Sequence, residues 1–207
     1  MIYYPILKLK EMGVTSILLV SGKGHAGHFL ELLGAGTEFG LNLAYEVQEE
    51  AGGIAQALNL AKDFVGEQKF VVMLGDNIFE DSLNEAARAF EAGTSEAHLF
   101  LKEVERPQSY GVPRLEGERI VEIMEKPATP PSPYAVTGCY FYTPDVFDVV
   151  STMKPSARGE LEITDVNDHY VKKGSLTHTV LPKFWGDCGE SIDQMMNVAS
   201  YVQKNMA

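Results

Sequence analysis

The sequence predicts an α/β fold, a mostly parallel sheet flanked by helices, and three observations carry that expectation. Short apolar runs within Ser16-Ile-Leu-Leu-Val-Ser21 and Lys69-Phe-Val-Val-Met-Leu74 have the character of strands buried on both faces. Segments of helical period lie between such runs and set up a β-α-β-α rhythm. Glycines and the Gly75-Asp76-Asn77 step punctuate the elements. The chain has 207 residues, 45% hydrophobic and 22% charged, which are ordinary values for a globular protein. Residues 1–207 therefore read as one domain.

The elements follow in order. Ile2, Tyr3, Ile6, Leu9 and Met12 fall near a helical period, and Gly13 closes that helix. Ser16–Ser21 is the first strand, followed by a short helix around His28–Leu33 and breaks at Gly34, Gly36 and Gly40. Leu41–Gln48 alternates as a strand does, and Ile54–Phe64 reads as one helix closed by Gly66. Lys69–Leu74 is the clearest strand, stopped by Gly75-Asp76-Asn77, and Leu83–Phe90 is helical. The pattern then changes. His98–Val104 and Arg119–Glu125 read as strands flanking Tyr110-Gly-Val112, and the proline-rich stretch Pro127–Pro133 is a loop. Strand character resumes at Val136–Tyr142 and again at Leu176–Leu181, which leads to Trp185-Gly-Asp187. Helices are expected at Pro144–Met153, Thr164–Lys172 and Ser191–Lys204.

Composition excludes several classes. With 17 basic and 29 acidic residues the net charge is −12, so a nucleic-acid groove, which needs a basic face, is not expected. Small anionic ligands stay open, because local cations, helix N-termini or a metal can outweigh the net charge. Cys139 and Cys188 form neither a disulfide scaffold nor a clustered zinc motif and read as reduced thiols of a cytoplasmic protein. Proline and lysines come too early in Met1–Lys10 for a signal peptide. No apolar run approaches the roughly 18 residues a membrane span needs.

Gly22-Lys-Gly-His-Ala-Gly27 matches the G-x-G-x-x-G dinucleotide fingerprint, with Glu46 placed as a ribose-binding acid would be. The helix after Gly27 is too short to back a pyrophosphate site, so a flexible loop is the expectation. His25 and His28, three apart, read as solvated.

The chemistry-bearing residues sit at strand ends, where open α/β sheets bind ligands. Asp76 follows an apolar strand and Asp187 ends another, and each is suited either to capping a loop or to holding a hard cation such as Mg²⁺. Lys126, beside Glu125 at a third strand end, is a point charge suited to phosphate, or else a surface lysine. Gln48 offers a paired donor and acceptor to a base edge, and Gly52-Gly53 permits close backbone approach to a planar ligand. Glu160, Glu162 and Asp165 form an acidic cluster that a helix N-terminus explains. Tyr140 and Trp185 read as core or pocket wall.

Together these segments resemble a known family. Gln48-x-x-x-x-Gly53-Ile-Ala-Gln-Ala57, Leu74-Gly-Asp-Asn77, Tyr110-Gly-Val112, Glu125-Lys-Pro127, Val136-Thr-Gly138, Arg158-Gly-Glu-Leu-Glu-Ile-Thr-Asp165 and Trp185-Gly-Asp-Cys-Gly189 occur in that order. The chain resembles the sugar-1-phosphate nucleotidyltransferases, and among them the short glucose-1-phosphate thymidylyltransferases. The resemblance implies a Rossmann-like sheet with a small antiparallel sugar-binding insertion. It implies nucleotidyl transfer from dTTP, or UTP in related enzymes, to glucose-1-phosphate, with Mg²⁺ on Asp76 and Asp187 and the sugar phosphate on Lys126. It assigns Gln48 and Gly53 to the base and Asn77, Gly111, Glu125 and Val136 to the sugar. Members are commonly homo-oligomers.

One departure stands out. Members open with a strand and a Gly-x-Gly-Thr-Arg-x-x-Pro loop that wraps the triphosphate. Met1-Ile-Tyr-Tyr-Pro5 corresponds to residues just after that segment, a gap of about thirty residues, most of a βαβ unit. The resemblance places the missing strand mid-sheet, so its neighbours are expected to lack backbone pairing. Either the sequence starts at an internal methionine, or this is a short protein that binds nucleotide sugars, or pairs with an intact relative, without catalysing.

Overall fold

The computed structural model describes residues 1–206. In chain order the elements are α1 (Tyr3–Glu11), β1 (Ser16–Gly22), α2 (Ala26–Leu33), β2 (Asn42–Gln48), α3 (Ile54–Asn59), α4 (Lys62–Val65), β3 (Phe70–Met73) and β4 (Asn77–Phe79). Next come α5 (Asn84–Ala92), β5 (Ala97–Glu103), β6 (Gly111–Glu116), β7 (Arg119–Glu125) and β8 (Tyr134–Tyr142). The chain finishes with α6 (Val146–Thr152), α7 (Ile163–Lys173), β9 (Leu176–Val180), β10 (Trp185–Asp187) and α8 (Ile192–Asn205).

A four-stranded sheet in the order β3-β8-β5-β9 forms the centre. β3 and β5 both run antiparallel to β8, and β9 runs parallel to β5, so β8 is the single reversed strand. β1 and β2 make a separate parallel pair, β6 and β7 an antiparallel hairpin, and β4 and β10 a short antiparallel pair. Period-two alternation along β8 divides the core. Tyr140 and Tyr142 join Leu58, Leu99, Phe147 and Tyr170 beneath α3, α6 and α7. Cys139 and Phe141 join Phe79, Phe90, Phe100 and Trp185 on the other face. This is the expected α/β layering.

Three local expectations are corrected. The helix expected over Ile54–Phe64 is two helices, because Leu60 and Ala61 donate to the carbonyls three residues back and the tighter turn interrupts the α-helical ladder. Asn77 does not merely stop a strand but opens β4, which pairs with β10. Gly111-Val112, read only as lying between two strands, begins a further strand, β6. Both unforeseen strands are short or carry a proline, Pro113, and so lack a clear period-two signature.

His98 is 7% exposed, packed against Phe100 and Phe141, with Thr177 and Thr179 hydroxyls 2.9 and 3.1 Å from its two ring nitrogens. Burial, with the neighbouring His178 adding to it, lowers its pKa from 6.5 to about 4. Between those values the unfolded chain binds the proton and the folded chain does not, so stability falls as pH drops through that window. The loss amounts to about 3 kcal/mol. Urea unfolding across the window is expected to show a steeper acid loss in the native protein than in His98→Gln; equal slopes would remove His98 as the cause.

Candidate active site

The β4–β10 ladder brings the two predicted acids together. Asp187 pairs with Asn77, and the Cys188 N–H donates to the Asp76 carbonyl at 2.9 Å. Asp76 lies in the turn between β3 and β4, and Asp187 ends β10. Gly189 lies between the carboxylates. Its N–H donates to Asp187 Oδ1 at 2.8 Å, and a Cβ there would overlap Asp76 Oδ2 and stand 3.3 Å from Asp187 Oδ1. The two oxygens therefore lie within about 6 Å of each other, a bound that includes the roughly 4 Å that opposite ligands of one Mg²⁺ span. Among the described residues neither acid has a salt-bridge partner. Burial raises the Asp187 carboxyl above its usual range, and the charges of Asp76 and Glu190 raise it further. Two partly buried like charges without a counter-cation are what a divalent ion would relieve.

The same pocket, about 470 Å³, is lined by Asp76, Tyr110, Lys126, Asp187, Gly189 and Glu190, with Ser109. Asp76, Lys126 and Asp187, expected from remote stretches, thus share one cavity. Lys126 is the only non-glycine with positive φ among the described residues, at +42°, and its N–H donates to the Tyr110 carbonyl at 2.9 Å. Such a backbone stores roughly 1–3 kcal/mol and clusters at functional sites. Replacing Lys126 by glycine removes both the strain and the charge. The expected outcome is stability unchanged or raised by up to about 1 kcal/mol, with phosphate capture weakened. Paired unfolding and sugar-phosphate binding curves check this; equal loss of both would mean that the lysine serves only the fold.

The other expected residues are placed differently. Gly111 pairs with Glu125 across the β6–β7 hairpin. Glu125 accepts from Thr164 Oγ1 at 2.5 Å and from Arg158 at 3.3 Å, and lies 3.8 Å from the Lys126 ammonium. Asn77 is 1% exposed, and its side chain faces inward rather than into a sugar pocket. Oδ1 accepts from the Gly138 N–H at 2.9 Å and Trp185 Nε1 at 2.7 Å, while Nδ2 donates to Asp76 Oδ1 at 2.9 Å. Val136 is likewise buried in the core. Gln48 ends β2, but its amide donates to the Gly53 carbonyl and to Gln56 Oε1, at 3.1 and 2.7 Å. Gly53 has φ +94°, and a Cβ there would strike the Leu161 carbonyl, so the turn at the start of α3 admits only glycine.

Sequence reasoning missed Arg158 and Gln56 as organisers. The acidic cluster is largely Arg158's partner set rather than a helix cap: Glu162 receives a 2.7 Å bond from Arg158, and Glu160 lies at 3.5 Å. Glu162, the residue preceding α7, makes no side-chain cap bond, and only Asp165 lies in the first turn. The i,i+4 spacing of Arg158 and Glu162 was the available signal. The fingerprint at Gly22–Gly27 precedes an α2 of eight residues whose buried residue is Leu33 alone. His25 and His28 are exposed, and no group of three or more His, Cys, Asp or Glu among the described residues is arranged to hold a metal.

Comparison with known proteins gives the family. The Nucleotidyl transferase family profile matches residues 1–205. A glucose-1-phosphate thymidylyltransferase of Actinoplanes sp. is 40% identical over 98% of this chain and 68% of its own length. One from Neisseria meningitidis is 39% identical, covering 98% and 72%. A Bacillus anthracis structure assigned to the same enzyme and solved with sucrose superposes with a TM-score of 0.91 at 43% identity, covering 96% of this chain and 80% of that one. UDP-glucose pyrophosphorylase, at 23% identity and a TM-score of 0.82, shares the fold. No helix among the described residues is long and apolar enough to cross a membrane. The chain belongs to the nucleotidyl transferase family of enzymes.

Proposed function

We propose that the Asp76–Lys126–Asp187 pocket carries nucleotidyl transfer from dTTP to glucose-1-phosphate, giving dTDP-glucose and pyrophosphate. The observation that carries the reading is the meeting of two unpaired carboxylates and one lysine in a single cavity. An oxygen of the sugar phosphate attacks the α-phosphorus, the bond from that phosphorus to the bridging oxygen breaks, and pyrophosphate leaves. Such a step needs positioning and charge neutralisation more than covalent chemistry. Lys126 holds the attacking phosphate, and Glu125, fixed by Thr164 and Arg158, faces the sugar beside Gly111. Asn77 and Val136 shape the wall behind it. Gln48 and Gly53 form the base end, where thymine and uracil offer the same edge, so UTP is the alternative donor. The Asp76 and Asp187 carboxylates suit Mg²⁺, which when bound supplies charge neutralisation at the phosphates.

A second reading, a nucleotide-sugar-binding protein without turnover, is favoured by one feature. Lys126 is the only cation lining the pocket among the described residues, against three acids. A pocket with so few cations does little to stabilise charge on a triphosphate, and that stabilisation is usually the largest part of such catalysis.

Calorimetric titration with dTDP-glucose and Mg²⁺, beside a pyrophosphate-release assay with dTTP or UTP and glucose-1-phosphate, separates these readings. Binding with turnover supports transfer, and the faster triphosphate names the donor. Binding without turnover supports the second reading. Absence of binding overturns both.

A further inference from the structure

We infer that Lys102, Glu80 and Asp81 are positioning residues for the acid pair: a clamp of opposite charges on the segment entering β10 sets where Asp187 stands relative to Asp76. The inference rests on the reading of those two aspartates as the holders of a divalent ion.

The ladder that joins the acids is too short to place them unaided. β4 and β10 have three residues each and, among the described residues, pair only with one another. Two short strands without further partners are marginal by themselves. Packing decides which face each residue presents, since Phe79 and Trp185 enter one apolar cluster and Ile78 another. It constrains less well how far each strand sits along its own axis, and a working site needs its groups within about 0.5 Å. The two ends of the ladder differ. Asp76, before β4, and Asp187, closing β10, stand at one end. Glu80 and Asp81, after β4, meet Lys183 and Phe184, before β10, at the other.

At that second end the backbone is gripped from both of its polar sides. The Lys102 ammonium donates to the carbonyls of Leu181, Pro182 and Lys183 at 3.1, 3.2 and 2.5 Å, which uses all three of its protons. The Lys183 N–H donates to Asp81 Oδ2 at 2.9 Å, and the Phe184 N–H donates to Glu80 Oε2 at 3.3 Å. The Tyr201 hydroxyl donates to the same Glu80 oxygen at 2.6 Å and steadies it from α8. The Glu80 N–H donates to the Phe184 carbonyl at 3.0 Å, and the Leu181 N–H donates to the Leu101 carbonyl at 2.8 Å. Proline at 182 has no N–H to satisfy. Every backbone polar group from Leu181 to Phe184 therefore has a partner remote in sequence. A cation on carbonyls and carboxylates on N–H groups make charge-assisted bonds, stronger than neutral ones.

The clamp also ties the ladder to the central sheet. Lys102 belongs to β5 and pairs with Ala135 of β8, and β3, which leads into the Asp76 turn, pairs with the same β8. Asp81 is buried, and its carbonyl accepts from the Lys8 ammonium of α1 at 2.9 Å. Asp187 is thus referred, through Lys183 and Phe184, to the sheet that carries Asp76.

The test reads Mn²⁺ affinity by electron paramagnetic resonance in the presence of dTDP-glucose. Whole-chain variants are held at a temperature where circular dichroism shows each to be fully folded. Lys102→Met and Asp81→Ala are expected to weaken Mn²⁺ binding about tenfold, the lower end of what residues supporting metal ligands contribute. Asp81→Asn keeps the oxygen that accepts from Lys183 and is expected to bind Mn²⁺ as the native protein does. Lys69→Met is the control for stability alone. Its ammonium also donates to three carbonyls, of Phe90, Glu91 and Gly93, but at the end of α5. It is expected to lower Tm and leave Mn²⁺ affinity native. Native affinity in Lys102→Met or Asp81→Ala, or equal weakening in Lys69→Met, would overturn the inference. If Lys102→Met does not fold, Asp81→Ala against Asp81→Asn decides by the same criterion. Asp187→Asn in the same titration separates the clamp from the reading beneath it. Unchanged affinity there overturns both, whereas weakened affinity there with native affinity in the clamp variants overturns the clamp alone.

Discussion

Asp76→Asn and Asp187→Asn are each expected to lower the affinity for Mn²⁺ in the presence of dTDP-glucose on the order of 100-fold, and any transferase rate at least as much. Both substitutions keep the side-chain shape. At position 76 the asparagine Oδ1 still accepts from Asn77, and at position 187 it still accepts from Gly189, so the β4–β10 ladder is retained. What disappears is one negative charge from an unpaired pair. Electron paramagnetic resonance titration of Mn²⁺ reads the loss directly, without requiring turnover. Glu190→Gln is the internal control. Glu190 lines the same pocket but is held by Arg106 at 3.0 Å and Ser109 at 3.2 Å, so its charge is already partnered. Its removal should leave Mn²⁺ affinity close to that of the native protein. If Glu190→Gln matched the aspartate variants, the ion would sit elsewhere in the pocket.

The second large effect belongs to Asn77. Asn77→Ala leaves the Gly138 N–H and Trp185 Nε1 without acceptors inside the core and takes a donor from Asp76. Each buried orphan costs about 1–3 kcal/mol, so a loss of about 3 kcal/mol is expected. In a domain of this size that lowers Tm by roughly 6–12 °C. Gly138→Ala attacks the same node from the other side: its Cβ would stand 2.7–2.8 Å from three atoms of the Asn77 amide. Overpacking of this kind costs about 1–3 kcal/mol. The double variant should lose less than the two single losses combined, because alanine at 77 vacates the space that alanine at 138 needs. Additive losses in thermal unfolding would show that the two residues act separately.

The sequence made the layered α/β order and both acids legible, for identifiable reasons. β3 is a short apolar run and β8 a longer, mostly apolar one, and such runs are the mark of buried strands. Asp76 and Asp187 follow or end strands, where α/β sheets open to ligands. β4 and β10, three residues each, were not separately legible, because their stability comes from pairing across more than a hundred positions of chain. Asn77 was assigned to the sugar by the resemblance alone. Only the structure shows its partners to be Gly138, Trp185 and Asp76. Gln48 has a similar history, its amide engaged by Gly53 and Gln56. Arg158 was overshadowed by the acids it binds, since a charge cluster read alone does not reveal which member is its centre.

The most direct measurement is anomalous diffraction from crystals grown with Mn²⁺ and dTDP-glucose. The account predicts one strong anomalous peak bonded to a carboxylate oxygen of Asp76 and one of Asp187, with phosphate oxygens completing its shell and Lys126 on the sugar phosphate. Nucleotide sugar bound in that pocket with no peak between the two aspartates, or with the peak on Glu190 or Glu125 instead, would contradict it.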